Sequence, residues 1–139
     1  MYSPGGDSPL ATAHRVRAIA GNPTLVAERY ATQAMRDARG VPRNWYIGQP
    51  GCTPADKAAA EAKFGGQVAC DEFPNWSMED GGRAGLASLK YIPFRDNSLE
   101  GTRLGQFFLA CSNVRDPDRE PFFVVPIPAL PTTLFHCGS

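Results

Sequence analysis

The sequence predicts an α+β fold in which a small sheet packs with about three helices. Apolar residues recur at helical spacing between residues 22 and 40, and apolar and polar residues alternate as in a strand between residues 86 and 94. The chain has 139 residues, of which 42% are hydrophobic and 20% are charged, and this fits one domain with its own core. Acidic and basic residues balance at 14 each, so the overall charge does not indicate a nucleic-acid partner.

The first residues are rich in glycine, serine and proline, as linkers are. We therefore expect residues 1–13 to be a linker and residues 14–139 to form a single domain. No apolar run approaches the roughly 20 residues of a membrane span, so we expect no membrane insertion. No signal peptide is recognisable. Because Met1 could have been added to a fragment of a longer chain, the lack of a recognisable signal peptide says nothing about export.

Two helices are predicted before residue 70. Asn22 is a suitable N-cap with Pro23 at the first helical position, and Gly40 is a natural stop for this first helix. Thr53 opens a second, alanine-rich helix that we expect to end at Gly65-Gly66.

The second half of the chain predicts two strands and a third helix. Residues 86–94 alternate as a strand does, and Pro93 places that strand at an edge or ends it. Residues 96–98 are expected to be a turn, and apolar residues between 104 and 111 then fit one face of a helix. Residues 122–127 are predicted to be a buried strand.

Four cysteines permit three disulfide pairings. Cys52 and Cys70 flank the second predicted helix, while Cys111 and Cys137 lie on either side of the last predicted strand, so we expect these two pairs. Zinc is the competing interpretation, but the chain has no Cys-x-x-Cys and its two histidines are far apart in sequence. Disulfides indicate an oxidising destination such as the periplasm or the extracellular space.

The adjacent carboxylates of Asp71 and Glu72 are the most informative feature for function. They are followed, after the predicted strand, by Asn97 and then by a helix that carries Gln106. Such oxygen donors suit a hard divalent cation, Mg²⁺ or Mn²⁺, which can polarise a phosphodiester and activate water. One carboxylate could bind the cation while the other takes a proton from water. The alternative is that both acids are solvated charges on a loop.

The acidic motif and the blocks after it resemble the NucA/NucB deoxyribonuclease family. The blocks include Cys-Asp-Glu-Phe-Pro, Glu-Asp-Gly-Gly, a strand ending in Ile-Pro, and Asp-Asn, and they lie at residues 70–74, 79–82, 89–93, 96–97 and 100–108. The resemblance extends over most of residues 14–127, and its ordered combination is more specific than any single block.

The resemblance implies a metal-dependent, sequence-nonspecific endonuclease with a ββα-metal-like core. In that reading Asp71 or Glu72 is the general base, and Asn97 and Glu72 bind the metal. Gln106 orients a metal-bound water. Glu100 stands where the family carries glutamine, and its added charge could bind metal or repel phosphate.

Substrate contacts are predicted at arginines in or near the motif blocks, because phosphate contacts give affinity without sequence choice. The candidates are Arg15, Arg83, Arg95 and Arg103. Trp76 could stack on a base, and His14 could give a proton to the leaving oxygen. The alternatives are ordinary surface arginines, a packing tryptophan and a structural histidine.

The functional expectation is a DNase that is secreted or delivered into a target bacterial cell. The linker-like start suits a C-terminal toxin domain of a larger effector, which would act on DNA and have a cognate immunity protein. A disulfide-stapled binding or inhibitor module without catalysis, and a metal-dependent ribonuclease, are the two alternatives.

Overall fold

The structure is a computed structural model that describes residues 1–138. Its α-helices are α1 (Pro9–Gly21), α2 (Gln33–Asp37), α3 (Pro54–Phe64) and α4 (Phe94–Ala110). Its strands are β1 (Tyr2–Ser3), β2 (Ala27–Glu28), β3 (Val68–Phe73), β4 (Ser88–Pro93), β5 (Phe122–Phe123) and β6 (Leu134–Phe135). Short 3₁₀ turns lie at Pro23–Val26 and Ser112–Val114. The predicted α+β class is confirmed.

The strands form three antiparallel pairs, β1 with β6, β2 with β5, and β3 with β4. The β3–β4 pair is the longest of the three, with its register running from Val68 opposite Pro93 to Phe73 opposite Ser88. Helix α4 begins at the residue after β4, so that β3, β4 and α4 follow one another in ββα order. This unit places the acidic motif beside the first turns of a helix.

Helix α3 is confirmed where the sequence predicted it, because its start and stop signals are local. The Thr53 hydroxyl accepts a hydrogen bond from the Asp56 N–H, and the Asp56 carboxylate accepts one from the Thr53 N–H. Gly65 ends the helix in the left-handed conformation, with φ of 69°. The strand predicted at residues 86–94 is also present, as β4.

Residues 1–13 are not the linker that their composition suggested. Tyr2 lies on β1, is completely buried, and packs against the Phe107 ring with centroids 5.4 Å apart. Helix α1 then begins at Pro9. The buried Tyr2 ring, the pairing of β1 with β6 and the buried Ala11 and Thr12 hold this segment against the core.

The continuous helix predicted between residues 22 and 40 is wrong. Pro23 opens only a 3₁₀ turn, because Ala27–Glu28 pair with Phe122–Phe123 nearly a hundred residues later. Helix formation resumes at α2, where the Thr32 hydroxyl caps the Met35 N–H. A distant strand partner has overridden the local helical spacing.

Three further boundaries differ from the predictions. The acidic motif, expected in an irregular stretch, lies on β3. Residues 96–98, expected to be a turn, belong to the first turn of α4. Of the strand predicted at residues 122–127, only Phe122–Phe123 is present as a strand, and Pro126 and Pro128 follow it.

The core is an aromatic cluster on one face of α4. Phe107 and Phe108 of this helix pack against Phe122 with ring centroids 5.1 and 5.7 Å away, and Tyr2 joins them from the N-terminus. The disulfide Cys111–Cys137 ties the end of α4 to the C-terminal segment. No helix within residues 1–138 is long and apolar enough to cross a membrane.

Candidate active site

A cleft of about 150 Å³ opens between β3 and the first half of α4. Three carboxylates line it, Asp71 and Glu72 from β3 and Glu100 from α4, together with the side-chain amides of Asn75 and Asn97. The predicted acidic pair and the predicted asparagine therefore meet at one place, because β4 returns the chain and α4 starts directly after it.

Arg15 of α1 lies behind the cleft and joins two of its carboxylates. Its guanidinium donates to both oxygens of Asp71, and its Nη2 donates to Oε2 of Glu100 at 2.8 Å. Arg15 is 1% exposed, so its charge is not at the surface. The structure thus places this predicted phosphate contact in a buried ion pair, where its positive charge offsets two negative ones.

Two further side chains hold these carboxylates from the interior. Nδ1 of His14 lies 2.7 Å from Oδ2 of Asp71, and its Nε2 lies 2.9 Å from Oγ of Ser88. The Tyr2 hydroxyl donates to Oε1 of Glu100 at 2.8 Å. His14 therefore has a partner on each ring nitrogen and orients Asp71.

Within the buried ion pair, the pKa of Asp71 is lowered and the pKa of Glu100 is raised. Burial by itself would raise the pKa of Asp71, but the Arg15 charge and the His14 hydrogen bond lower that pKa to about 2. Burial raises the pKa of Glu100, with a further contribution from the Asp71 charge, and Arg15 only partly offsets this. Asp71 is thus ionised at any ordinary pH, while Glu100 holds a proton more readily than a free glutamate.

Glu72 lies in a different environment on the loop side of the cleft. Its Oε2 accepts hydrogen bonds from the Gly82 N–H at 2.6 Å and from Nε1 of Trp45 at 3.1 Å. Burial raises the pKa of Glu72, although both hydrogen bonds act in the opposite direction. One carboxylate oxygen is fixed in this way, and no hydrogen bond within residues 1–138 engages the other.

The paired glycines of the sequence motif explain how Glu72 is held. A Cβ at Gly81 would overlap the Asn75 carbonyl oxygen, and Gly82 has φ of +71°, which side-chain-bearing residues rarely adopt. Only a glycine pair lets the loop 74–87 fold closely enough for the Gly82 N–H to reach Glu72. The Glu-Asp-Gly-Gly block therefore positions a carboxylate.

The donor set of the cleft fits a hard divalent cation. It offers carboxylate and amide oxygens, and Oδ1 of Asn75 is buried without a hydrogen-bond partner within residues 1–138. No group of three or more His, Cys, Asp or Glu side chains in that range has the spacing of a metal cluster. Mg²⁺ usually takes only one or two protein carboxylates because it keeps several waters, and the cleft offers carboxylates of that kind.

Several predicted site residues do not reach the cleft. Gln106 is nine residues after Asn97, about 13.5 Å along the helix, and its amide oxygen accepts from Arg103. Arg103 also pairs with Asp7 of the N-terminal segment at 3.3 Å. Arg95 lies at the exposed start of α4, and Arg83 is exposed on the loop 74–87.

Trp76 does line the cleft, and Arg43 and Tyr46, which the sequence did not single out, line it as well. Sequence reasoning also gave no defined role to Glu100. Its spacing from Asn97, three residues on one helix face, would have indicated a shared site had α4 been predicted to start at Phe94.

Both predicted disulfides, Cys52–Cys70 and Cys111–Cys137, are confirmed. Cys52–Cys70 links the segment before α3 to β3, directly next to Asp71. The bond therefore anchors the strand that carries two of the three carboxylates. Two disulfides are consistent with an oxidising, extracellular destination.

The ββα unit places the carboxylates of β3 beside the start of α4, in one acidic cleft. Residues 20–118 match the family described as Deoxyribonuclease NucA/NucB, and the matched range contains β3, β4 and α4 entirely. Because the match extends over well more than half of the chain, the protein belongs to the NucA/NucB deoxyribonuclease family. No curated protein and no solved structure matches the chain.

Proposed function

We propose that this protein is a divalent-metal-dependent endonuclease that hydrolyses DNA phosphodiester bonds without sequence preference. The observation that carries the proposal is the meeting of Asp71, Glu72 and Glu100 in one cleft of a deoxyribonuclease-family chain. Carboxylates in unlike environments are the arrangement that acid–base chemistry at a phosphodiester requires.

Asp71, Glu100 and Asn97 are the residues that would hold Mg²⁺ or Mn²⁺. Asp71 and Glu100 each retain acceptor capacity beside their bonds to Arg15, and Asn97 lies one helical turn before Glu100. When bound, the cation supplies Lewis-acid polarisation of the phosphate and stabilises the developing negative charge. When no cation is bound, the positive charge of Arg15 keeps the carboxylates of Asp71 and Glu100 close together.

Glu72 is the general base in this proposal. Its raised pKa makes it a better proton acceptor than Asp71, whose pKa is held near 2. The hydrogen bonds from Trp45 and Gly82 fix one carboxylate oxygen and leave the other to take a proton from the attacking water.

Sequence-independent binding is supported by the side chains at the mouth of the cleft. Arg43 is exposed there, and no carboxylate within residues 1–138 lies within salt-bridge distance of it. A phosphate group can pair with such a guanidinium whatever the neighbouring base is. Tyr46 and Trp76 add aromatic surface beside it.

Secretion is supported by the two disulfides and by the family. Delivery as a toxin domain with an immunity protein stays a prediction. Its argument from a linker-like start no longer applies, since residues 1–13 contribute β1 and the first turn of α1.

The proposal is tested by incubating plasmid DNA with the purified chain and Mg²⁺ or Mn²⁺, with and without EDTA. We expect nicking that EDTA abolishes, and we expect Glu72→Gln to slow it by about 10²–10⁴-fold, the usual contribution of a general base. Glu61→Gln, at an exposed position of α3, is the matched control and should cleave like the parent. Substituting RNA for DNA tests the ribonuclease alternative.

A further inference from the structure

We propose that the substrate strand continues from the acidic cleft into a groove on α4 that accepts an unpaired nucleotide, so that the preferred substrate is single-stranded DNA. This inference rests on the proposed nuclease function and adds the substrate class. It concerns a surface outside the carboxylate cleft, on the next two turns of α4.

The groove is continuous with the cleft. Four residues, Arg43, Asn75, Trp76 and Gly101, line both spaces. The groove has a volume of about 460 Å³, which lies within the range of roughly 300–1,000 Å³ typical of clefts that hold small ligands. A strand whose phosphate lies at the carboxylates therefore has an adjoining space of the right size for its next nucleotide.

Two glycines of α4 form part of its floor. Gly101 and Gly105 are four residues apart and share one helix face, and nothing lies within 4 Å of where a Cβ would be at either position. Glycine is the least favourable helix residue after proline, and no close packing requires it here. The two glycines make the groove deeper, because a side chain at Gly105 would project into it.

The chemistry of the walls matches a nucleotide. Arg36, Arg43 and Arg115 line the groove, and none of them has a carboxylate within salt-bridge distance inside residues 1–138. Three guanidinium groups without acidic partners complement the phosphates of a strand.

Apolar and aromatic side chains line the groove between these charges. Trp76 and Tyr30 contribute rings, Leu104 and Phe108 the inner wall, and Leu109 is 72% exposed at the rim. Such surfaces stack or pack against bases of any sequence. In a duplex the base is paired and stacked, so entering the groove would cost the unpairing that a single strand avoids.

The first test measures binding without cleavage. A fluorescently labelled single-stranded oligonucleotide is titrated with the protein in EDTA, and the anisotropy is followed for the parent, Gly105→Leu and Thr102→Leu. Thr102 is exposed on α4 and lies outside the groove, so it controls for adding a leucine to this helix. We expect Gly105→Leu to weaken binding at least tenfold and Thr102→Leu to change it less than twofold.

The salt dependence of the same titration tests the arginines. Removing one phosphate contact to a single strand should lower the slope of log K against log salt by about 0.7. We expect this for Arg115→Gln and no change for Arg17→Gln, which is exposed on α1. Unchanged slopes for both variants, or parent-like binding by Gly105→Leu, would contradict the proposal that this groove binds a nucleotide.

Cleavage then separates this inference from the proposed function. With Mg²⁺, the parent should cleave the single strand faster than its duplex, and Gly105→Leu should lose that preference mainly through a higher KM. A parent that cleaves duplex faster than single strand contradicts the single-strand proposal but not the proposed nuclease activity. A parent that binds single strands but cleaves no DNA contradicts the nuclease activity but not the binding of a nucleotide in the groove.

Discussion

Asp71 and Glu72 are neighbours on β3 whose pKa values shift in opposite directions, that of Asp71 downward and that of Glu72 upward. Both side chains line the same cleft, but Asp71 meets Arg15 and His14 of α1 while Glu72 meets Trp45 and the Gly82 N–H. Two adjacent acids in the sequence thus become one carboxylate with a lowered pKa and one with a raised pKa. The difference arises from the partners and not from the two residues themselves.

Arg15→Gln should destabilise the fold strongly, because it leaves Asp71 and Glu100 as two buried charges without compensation. Removing one partner of such a buried pair costs about 3–5 kcal/mol. In the parent, the pKa of Asp71 is lowered to about 2 from 3.8, so its contribution is present above pH 3.8 and is lost as the pH falls toward 2.

In the variant, both carboxylates should instead resist ionisation, so the loss of stability should shrink as the pH is lowered. Urea unfolding at pH 4 and pH 8 measures this. Arg17→Gln, an exposed position on the same helix, should unfold like the parent at both pH values. A deficit for Arg15→Gln that does not depend on pH contradicts the assigned ion pair.

At the scale of elements, the loop 74–87 holds the end of β3 in place. It leaves the strand after Phe73, folds back at Gly81 against the Asn75 carbonyl, and returns to β4. The disulfide Cys52–Cys70 anchors the middle of the same strand, at the residue before Asp71. The acidic pair therefore lies between the disulfide and the loop.

Gly81→Ala should disturb this loop, since the added methyl would overlap backbone that cannot move without the loop. Overpacking of this kind typically costs about 1–3 kcal/mol, and we expect a matching loss of thermal stability and of DNA cleavage. Gly66→Ala, where nothing lies within 4 Å of the new Cβ, is the control. Equal melting temperatures for the two variants would show that the loop is not tightly folded.

The elements also show what the sequence could and could not predict. Helix α3 was predictable because Thr53, Asp56 and Gly65 signal its ends within the helix itself. The helix expected between residues 22 and 40 failed because β2 takes its partner from β5, and no local pattern reports that pairing. Local signals were sufficient at α3 and misled at residues 22–40, where a long-range strand pairing overrides them.

The site follows the same rule. Motif order grouped Asp71, Glu72 and Asn97, which line one cleft because β4 pairs with β3 after the loop 74–87 and α4 begins directly after β4. Arg15 and His14 were singled out in the sequence, but for phosphate contact and proton donation and not as partners of the carboxylates. Arg15 is 56 residues before Asp71 and 85 residues before Glu100, and no local pattern reports contacts over such distances.

At the scale of the whole molecule, the N-terminal segment supports the cleft from the interior. Strand β1 pairs with β6 near the C-terminus, and Tyr2 on β1 reaches Glu100. Tyr2, His14 and Arg15 lie outside the segment that matches the family, residues 20–118, yet they hold two of its carboxylates. The hydrogen-bond network around the cleft carboxylates therefore extends beyond the matched segment.

Global stability should depend on pH through Glu28, which is 3% exposed on β2. Burial, together with the charge of Asp80, raises the pKa of Glu28 to about 9 from an ordinary value of 4.5. The native state therefore keeps a proton that the unfolded chain releases. This stabilisation is complete below pH 4.5 and is lost as the pH rises toward 9, at up to about 1.4 kcal/mol per pH unit.

Glu28→Gln, which is neutral at every pH, should flatten that decline between pH 5 and pH 9. Urea denaturation at several pH values measures the slope, with Glu61→Gln as an exposed control that should retain it. A parent-like slope in Glu28→Gln would mean that another group carries the pH dependence.

Metal-dependent cleavage is the central claim, and the plasmid assay with Glu72→Gln tests it most directly. The account predicts nicking by the parent in Mg²⁺ or Mn²⁺, none in EDTA, and a loss of about 10²–10⁴-fold in Glu72→Gln with full activity in Glu61→Gln. A folded parent that cleaves equally well in EDTA, or a Glu72→Gln variant as active as the control, would contradict it.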